Sequence, residues 1–150
     1  MLPAAGRWDD FASLMAPRGC VCMSYRNSSL DTAGRVAHMR ALCASDPGPG
    51  VLAYVDDEPA GWCSVAPKST YRALVNSRTI PHVQDEDAWS VVCFVVRPVD
   101  PGSKRVDQTS GYVGTVALFE AHGFTRVCQT AGHSGGKPRW LVRREPVIAA

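Results

Sequence analysis

The residues best equipped for chemistry in this 150-residue chain are its cysteines, its histidines and one run of carboxylates. Cys20 and Cys22 form C-x-C, and no second pair follows at the spacing of a zinc site. Cys43, Cys63, Cys93 and Cys128 sit among small or apolar neighbours (ALCAS, GWCSV, VVCFV, RVCQT), the setting of buried, reduced thiols. His38 and His122 fall on expected helices and His82 and His133 in expected loops, none with a partner at catalytic or ligand spacing. Asp85-Glu86-Asp87 is a run of carboxylates, and a partly buried carboxylate acquires the raised pKa that proton abstraction needs. A charge run is more often a solvated loop, so Glu86 is a nominee only if a base exists. No metal site, nucleophilic triad, Walker loop or G-x-G-x-x-G is present.

The elements that must position these groups follow from periodicity and breakers. Trp8–Met15 opens with two acids and places Trp8, Phe11, Leu14 and Met15 on one helical face. Asp31 or Thr32 caps a second helix to about Cys43, with Val36, Met39, Leu42 and Cys43 expected to face inward. DPGPG (46–50) breaks the chain, and Val51–Val55 and Ala60–Ala66 around a short acidic turn read as an antiparallel hairpin. Tyr71–Asn76 is expected as a short helix. Trp89–Val96 is almost wholly apolar, the pattern of a central strand covered on both faces. Residues 98–111 read as a polar loop and Tyr112–His122 as a helix, with Val113, Val116, Ala117 and Phe119 inward and Gly123 ending it. Phe124–Cys128 and Arg139–Val142 are expected as final strands around GHSGGKP. With 45% hydrophobic residues and no linker or repeat, the chain is expected to be one mixed α/β domain of the α+β type.

Composition narrows the partners. Sixteen basic against fourteen acidic residues, with no long block of either sign, give no footprint for nucleic acid or a polybasic membrane arm. No apolar run approaches the ~18 residues of a membrane helix. The start, MLPAAGRWDD, turns acidic at once and lacks the apolar core of a signal peptide, so the cytoplasm is the expected compartment.

The order helix, helix, hairpin, apolar strand, helix with L-F-E-x-x-G-F, strand resembles the GNAT superfamily of acetyl-CoA-dependent N-acetyltransferases. Gly61–Pro67 (GWCSVAP), Trp89–Phe94 (WSVVCF), Cys20–Met23 and Tyr112–Phe124 are similar to stretches of an actinobacterial-type subgroup, so the resemblance spans almost the whole chain. It implies a twisted, mostly antiparallel sheet with flanking helices. It also implies acetyl-CoA as co-substrate, and a small-molecule or peptide amine as acceptor. By the same resemblance, main-chain groups of Cys93, Phe94, Val95 and Val96, with Arg97 beside them, bind pantetheine and polarise the thioester. Trp62 and Trp89 are acceptor-pocket candidates, although tryptophans on strands are more often core. Lys104, Arg105 and Arg126 are candidates for a CoA phosphate, with plain surface solubility the commoner role.

The departures from the family are as informative. The family's tyrosine proton donor lies in L-Y-E, and this chain has Leu118-Phe119-Glu120, which leaves Tyr112, about two turns earlier, as the substitute candidate. The family's loop Q/R-x-x-G-x-G/A, which holds diphosphate on free helix N–H groups, is missing after Arg97. Pro98-Val99-Asp100-Pro101 follows at once, and residues 98–111 fall short of the roughly 25 that a loop, helix and strand require. The sequence therefore resembles a GNAT domain, truncated in the middle, with a bared sheet face. A second copy (a homodimer), a shifted N-terminal helix or a ligand is expected to cover that face. The rival to an impaired N-acetyltransferase is a catalytically inactive pseudoenzyme serving as a binding or oligomerisation module.

Overall fold

A computed structural model describes residues 1–15, 23–81, 87–97, 115–134 and 136–146. The fold is mixed α+β. In chain order it runs β1 (Leu2–Pro3), α1 (Trp8–Met15), α2 (Thr32–Cys43), β2 (Val51–Val55), β3 (Glu58–Pro67) and a 3-10 turn (Lys68–Thr70). It continues with α3 (Arg72–Val75), β4 (Trp89–Val96), α4 (Val116–Ala121), β5 (Thr125–Ser134) and β6 (Lys137–Arg143). The first four strands form one antiparallel sheet in the order β1-β2-β3-β4, and β5 and β6 pair as a separate hairpin. Among the described residues no helix is long and apolar enough to cross a membrane.

The core lies on the α1 side of the larger sheet. Phe11 and Met15, one helical turn apart, are buried there with Trp62, Leu52, Met23, Met39 and Cys43. Phe11 meets Trp62 edge-on at 4.8 Å between centroids, which fixes α1 over β3. Tyr54 Oη donates to Asp10 Oδ2 at 2.6 Å and ties α1 to β2 as well. Partial burial, then this carboxylate, holds the Tyr54 hydroxyl above its usual pKa. The break at residues 46–50 is packed as tightly as any strand. Gly50 sits against β3 where a Cβ would strike the carbonyl oxygen of Cys63 and approach the Trp62 ring to 2.5 Å. Arg26, only 5% exposed, donates to Pro49 O (2.9 Å) and Tyr71 Oη (3.1 Å) and stacks on the Tyr71 ring at 4.3 Å. Tyr71 Oη in turn meets Ser64 Oγ at 3.0 Å, so the break, β3 and the start of α3 share one buried polar cluster.

Several local expectations hold. Asp31 caps α2 through Gly34 N at 2.7 Å, and the β2–β3 hairpin turns on Asp56 and Asp57 at φ 49 and 63. Others are corrected. Trp89–Val96 is not central: β4 closes the sheet at its edge, and β3 takes the central place with Trp62, Ser64 and Ala66 buried. Its apolar run is instead split between two surroundings. Cys93 and Val95 pack onto the core, whereas Trp89 and Val96 on the opposite face are 57% and 72% exposed. Val36 is 40% exposed because the first turns of α2 overhang the core and only Met39 and Cys43 are buried. The short helix is trimmed to Arg72–Val75, with Tyr71 buried as its cap residue. The late helix begins at Val116, where Thr115 Oγ1 accepts from Leu118 N at 3.2 Å; Ala117 is exposed rather than inward. The last two strands are longer than expected, extending to Ser134 and from Lys137.

Two stability predictions follow from the core. Gly50→Ala is expected to lower unfolding free energy by about 3 kcal/mol, since backbone and an immobile indole surround the new methyl; urea titration followed by circular dichroism checks it. Burial pushes the Cys43 thiol from its ordinary 9.0 to about 11, against a smaller opposing pull from Arg26. The folded state thus favours the protonated thiol. That stability is fully present below pH ~9 and is lost as pH rises towards about 11, on the order of 2–3 kcal/mol. Cys43→Val should flatten that alkaline slope in denaturation measured from pH 8 to 11, and an unchanged slope would assign it to other groups.

Candidate functional site

On the second face of the larger sheet the described residues leave space. A cleft of about 1180 Å³ lies between β4, α4 and the β5–β6 hairpin. Trp89 and Val91 of β4, Val116 and Phe119 of α4, and Val127, Trp140 and Leu141 of the hairpin line it. The ring of Phe119 lies 5.9 Å from that of Phe94 and 5.1 Å from that of Phe124, and these contacts seat α4 against both sheets. On the hairpin side, Arg126 pairs with Glu120 of α4 at 2.7 Å and lies 5.3 Å from the Trp140 ring.

The backbone of β4 adds polar groups to this wall. Lys68 N donates to Ala88 O and Arg97 N to Ala60 O, both at 2.8 Å, so the main chain of Ala88 and Arg97 faces β3. Alternation turns that of Trp89, Phe94 and Val96 to the outer edge, where no strand among the described residues pairs with it. Such an edge offers N–H and C=O groups to any extended amide-bearing ligand. The chain matches no family model, no curated protein and no solved structure.

The candidate residues named from sequence are dispersed. Trp89 lines the cleft. Trp62 is buried against Phe11 on the far face, in the core. Cys93 and Val95 turn their side chains to that core, Phe94 turns to Phe119, and Val96 is exposed. Arg97 reaches back to Ser13 O at 3.1 Å, which anchors the end of β4 to α1. Asp87 is exposed at the cleft, whereas Asp85, Glu86, Tyr112, Lys104 and Arg105 lie outside the described residues. Among the described residues no three His, Cys, Asp or Glu side chains gather as a metal site.

Sequence reasoning missed the cations of the hairpin. Lys137 and Arg139 of β6 line the cleft, and the Arg139 Nε is buried without a hydrogen-bond partner. The available signal was K-P-R-W itself: cations at alternate positions of a strand, i and i+2, share one face. Trp89 is the accessible reporter of this cleft. We expect iodide to quench a tryptophan emission component that Trp89→Phe removes, while the buried Trp62 contributes none of it; full quenching in Trp89→Phe would contradict the open cleft.

Proposed function

We propose that the protein is a GNAT-type N-acetyltransferase with a weakened cofactor site, acting in the cytoplasm on a small-molecule or peptide primary amine. The observation that supports this best is the outer edge of β4. Its outward amides and carbonyls, paired with no strand among the described residues, run beside a largely apolar cleft and match the amide-bearing pantetheine arm of acetyl-CoA. That co-substrate supplies an activated acetyl thioester, which the amine attacks directly. The chain's share is to align the two and to drain a proton from the ammonium. Asp87, on the cleft, is the described carboxylate nearest in sequence to the nominated Glu86. The residues on which a diphosphate grip depends, 98–114, lie outside the described ones.

A second reading, a binding or oligomerisation module without catalysis, is favoured by Phe119. It occupies the position where the resemblance expects a tyrosine donor, and its ring is committed to Phe94 and Phe124. In that reading a second copy covers the exposed face of β4, and light scattering would report the dimer. Titration calorimetry with acetyl-CoA separates the two. The enzyme reading expects a dissociation constant near ~1 mM, because each lost charge-assisted contact is worth about 1.5–3 kcal/mol. It also expects slow acetylation of amines, raised by Phe119→Tyr at unchanged affinity. Absence of heat up to ~10 mM with folded protein leaves only the module.

A further inference from the structure

We infer that the cleft receives a carboxylate joined to an apolar body, with the carboxylate held by Arg139. Arg139 sits opposite the irregular stretch of β5 between Gln129 and His133. Its Nε is buried and unpartnered, and among the described residues its guanidinium makes no hydrogen bond or ion pair. A buried donor left unmade costs about 1–3 kcal/mol, more on a charged group, so an acceptor that reaches Arg139 from the cleft would recover that cost.

The surroundings suit an anion. Gly132 is bounded by the side chains of Thr79, Thr130 and Arg139, so two hydroxyls stand close to the guanidinium stem. Lys137 and Arg144, also on the cleft, have no ion pair among the described residues, whereas Arg143 is paired with Glu145 at 2.8 Å. Trp89, Val91, Phe119, Val127 and Trp140 give the wall an apolar stretch with room for an aryl or alkyl body, and the carboxylates of Asp87 and Glu145 also stand on the lining. One planar guanidinium suits a carboxylate; a phosphate dianion calls for several converging donors. Applied to catalysis, the inference rests on the acetyltransferase reading: the acceptor amine then carries a carboxylate and an apolar side chain. The binding itself does not depend on that reading.

The probes are 3-phenylpropionate and its neutral amide, titrated into the full chain and followed by tryptophan fluorescence and backbone amide NMR. The acid is expected to bind at least ~tenfold tighter than the amide and to shift the Thr130 and Gly132 amides. Arg139→Gln should erase the preference and Arg139→Lys should keep part of it. Equal affinity for acid and amide, no binding of either up to ~10 mM, or a preference that survives Arg139→Gln would each overturn the assignment. Unmoved Thr130 and Gly132 amides in the unsubstituted chain would do so even if the variants fail to fold. Acetyl-CoA is absent from these titrations. Acid binding without acetyl-CoA heat therefore rejects the enzyme alone, and the reverse rejects this site alone.

Discussion

The structure turns on one strand whose two faces are equally apolar but unequally covered. On one face of β4, Cys93 and Val95 belong to the packed core beneath α1. On the other, α4 covers Phe94 through a single aromatic contact while Trp89, Val91 and Val96 remain exposed. Burying such a strand completely would require another layer or another strand. The described residues supply neither, and the space becomes the cleft. Because apolar burial is the dominant favourable term in folding, stability gathers on the covered face and binding capacity on the open one.

This asymmetry separates the rigid half of the molecule from the adaptable half. Phe11 on Trp62, Gly50 against β3 and the Arg26–Tyr71–Ser64 cluster lock the α1 side through contacts that tolerate no added volume. The hairpin side is joined by less. Ala131 N bonds to Thr79 O at 3.0 Å, Glu120 pairs with Arg126 on the surface, and Phe119 bridges Phe94 and Phe124. Exposed ion pairs contribute only about 0–1 kcal/mol, so the aromatic trio carries most of the coupling between the sheets. Width changes in the cleft are therefore cheaper than any movement of β3 against α1.

What the sequence made legible was what is decided locally. The Asp31 cap, the hairpin around Asp56 and Asp57, and the buried face of α1 depend on residues within a turn or two of one another. The position of β4 does not. Seven apolar residues out of eight read as a strand covered on both sides, and nothing in them states whether the chain also provides the cover. Val36 failed for the same reason: its spacing is right for the inner face of α2, but the core ends below it. Lys137 and Arg139 were legible as a same-face pair, but the irregular stretch of β5 opposite Arg139 was not, because a pairing irregularity is set by two strands together.

Phe119 joins the structural and chemical sides of this account. Its ring contacts at 5.1 and 5.9 Å place it against both Phe94 and Phe124 while it also lines the cleft. With α4 only six residues long, these ring contacts and the Glu120–Arg126 pair hold it among the described residues. Phe119 thus supplies apolar contact to a strand that lies at the sheet's edge among the described residues.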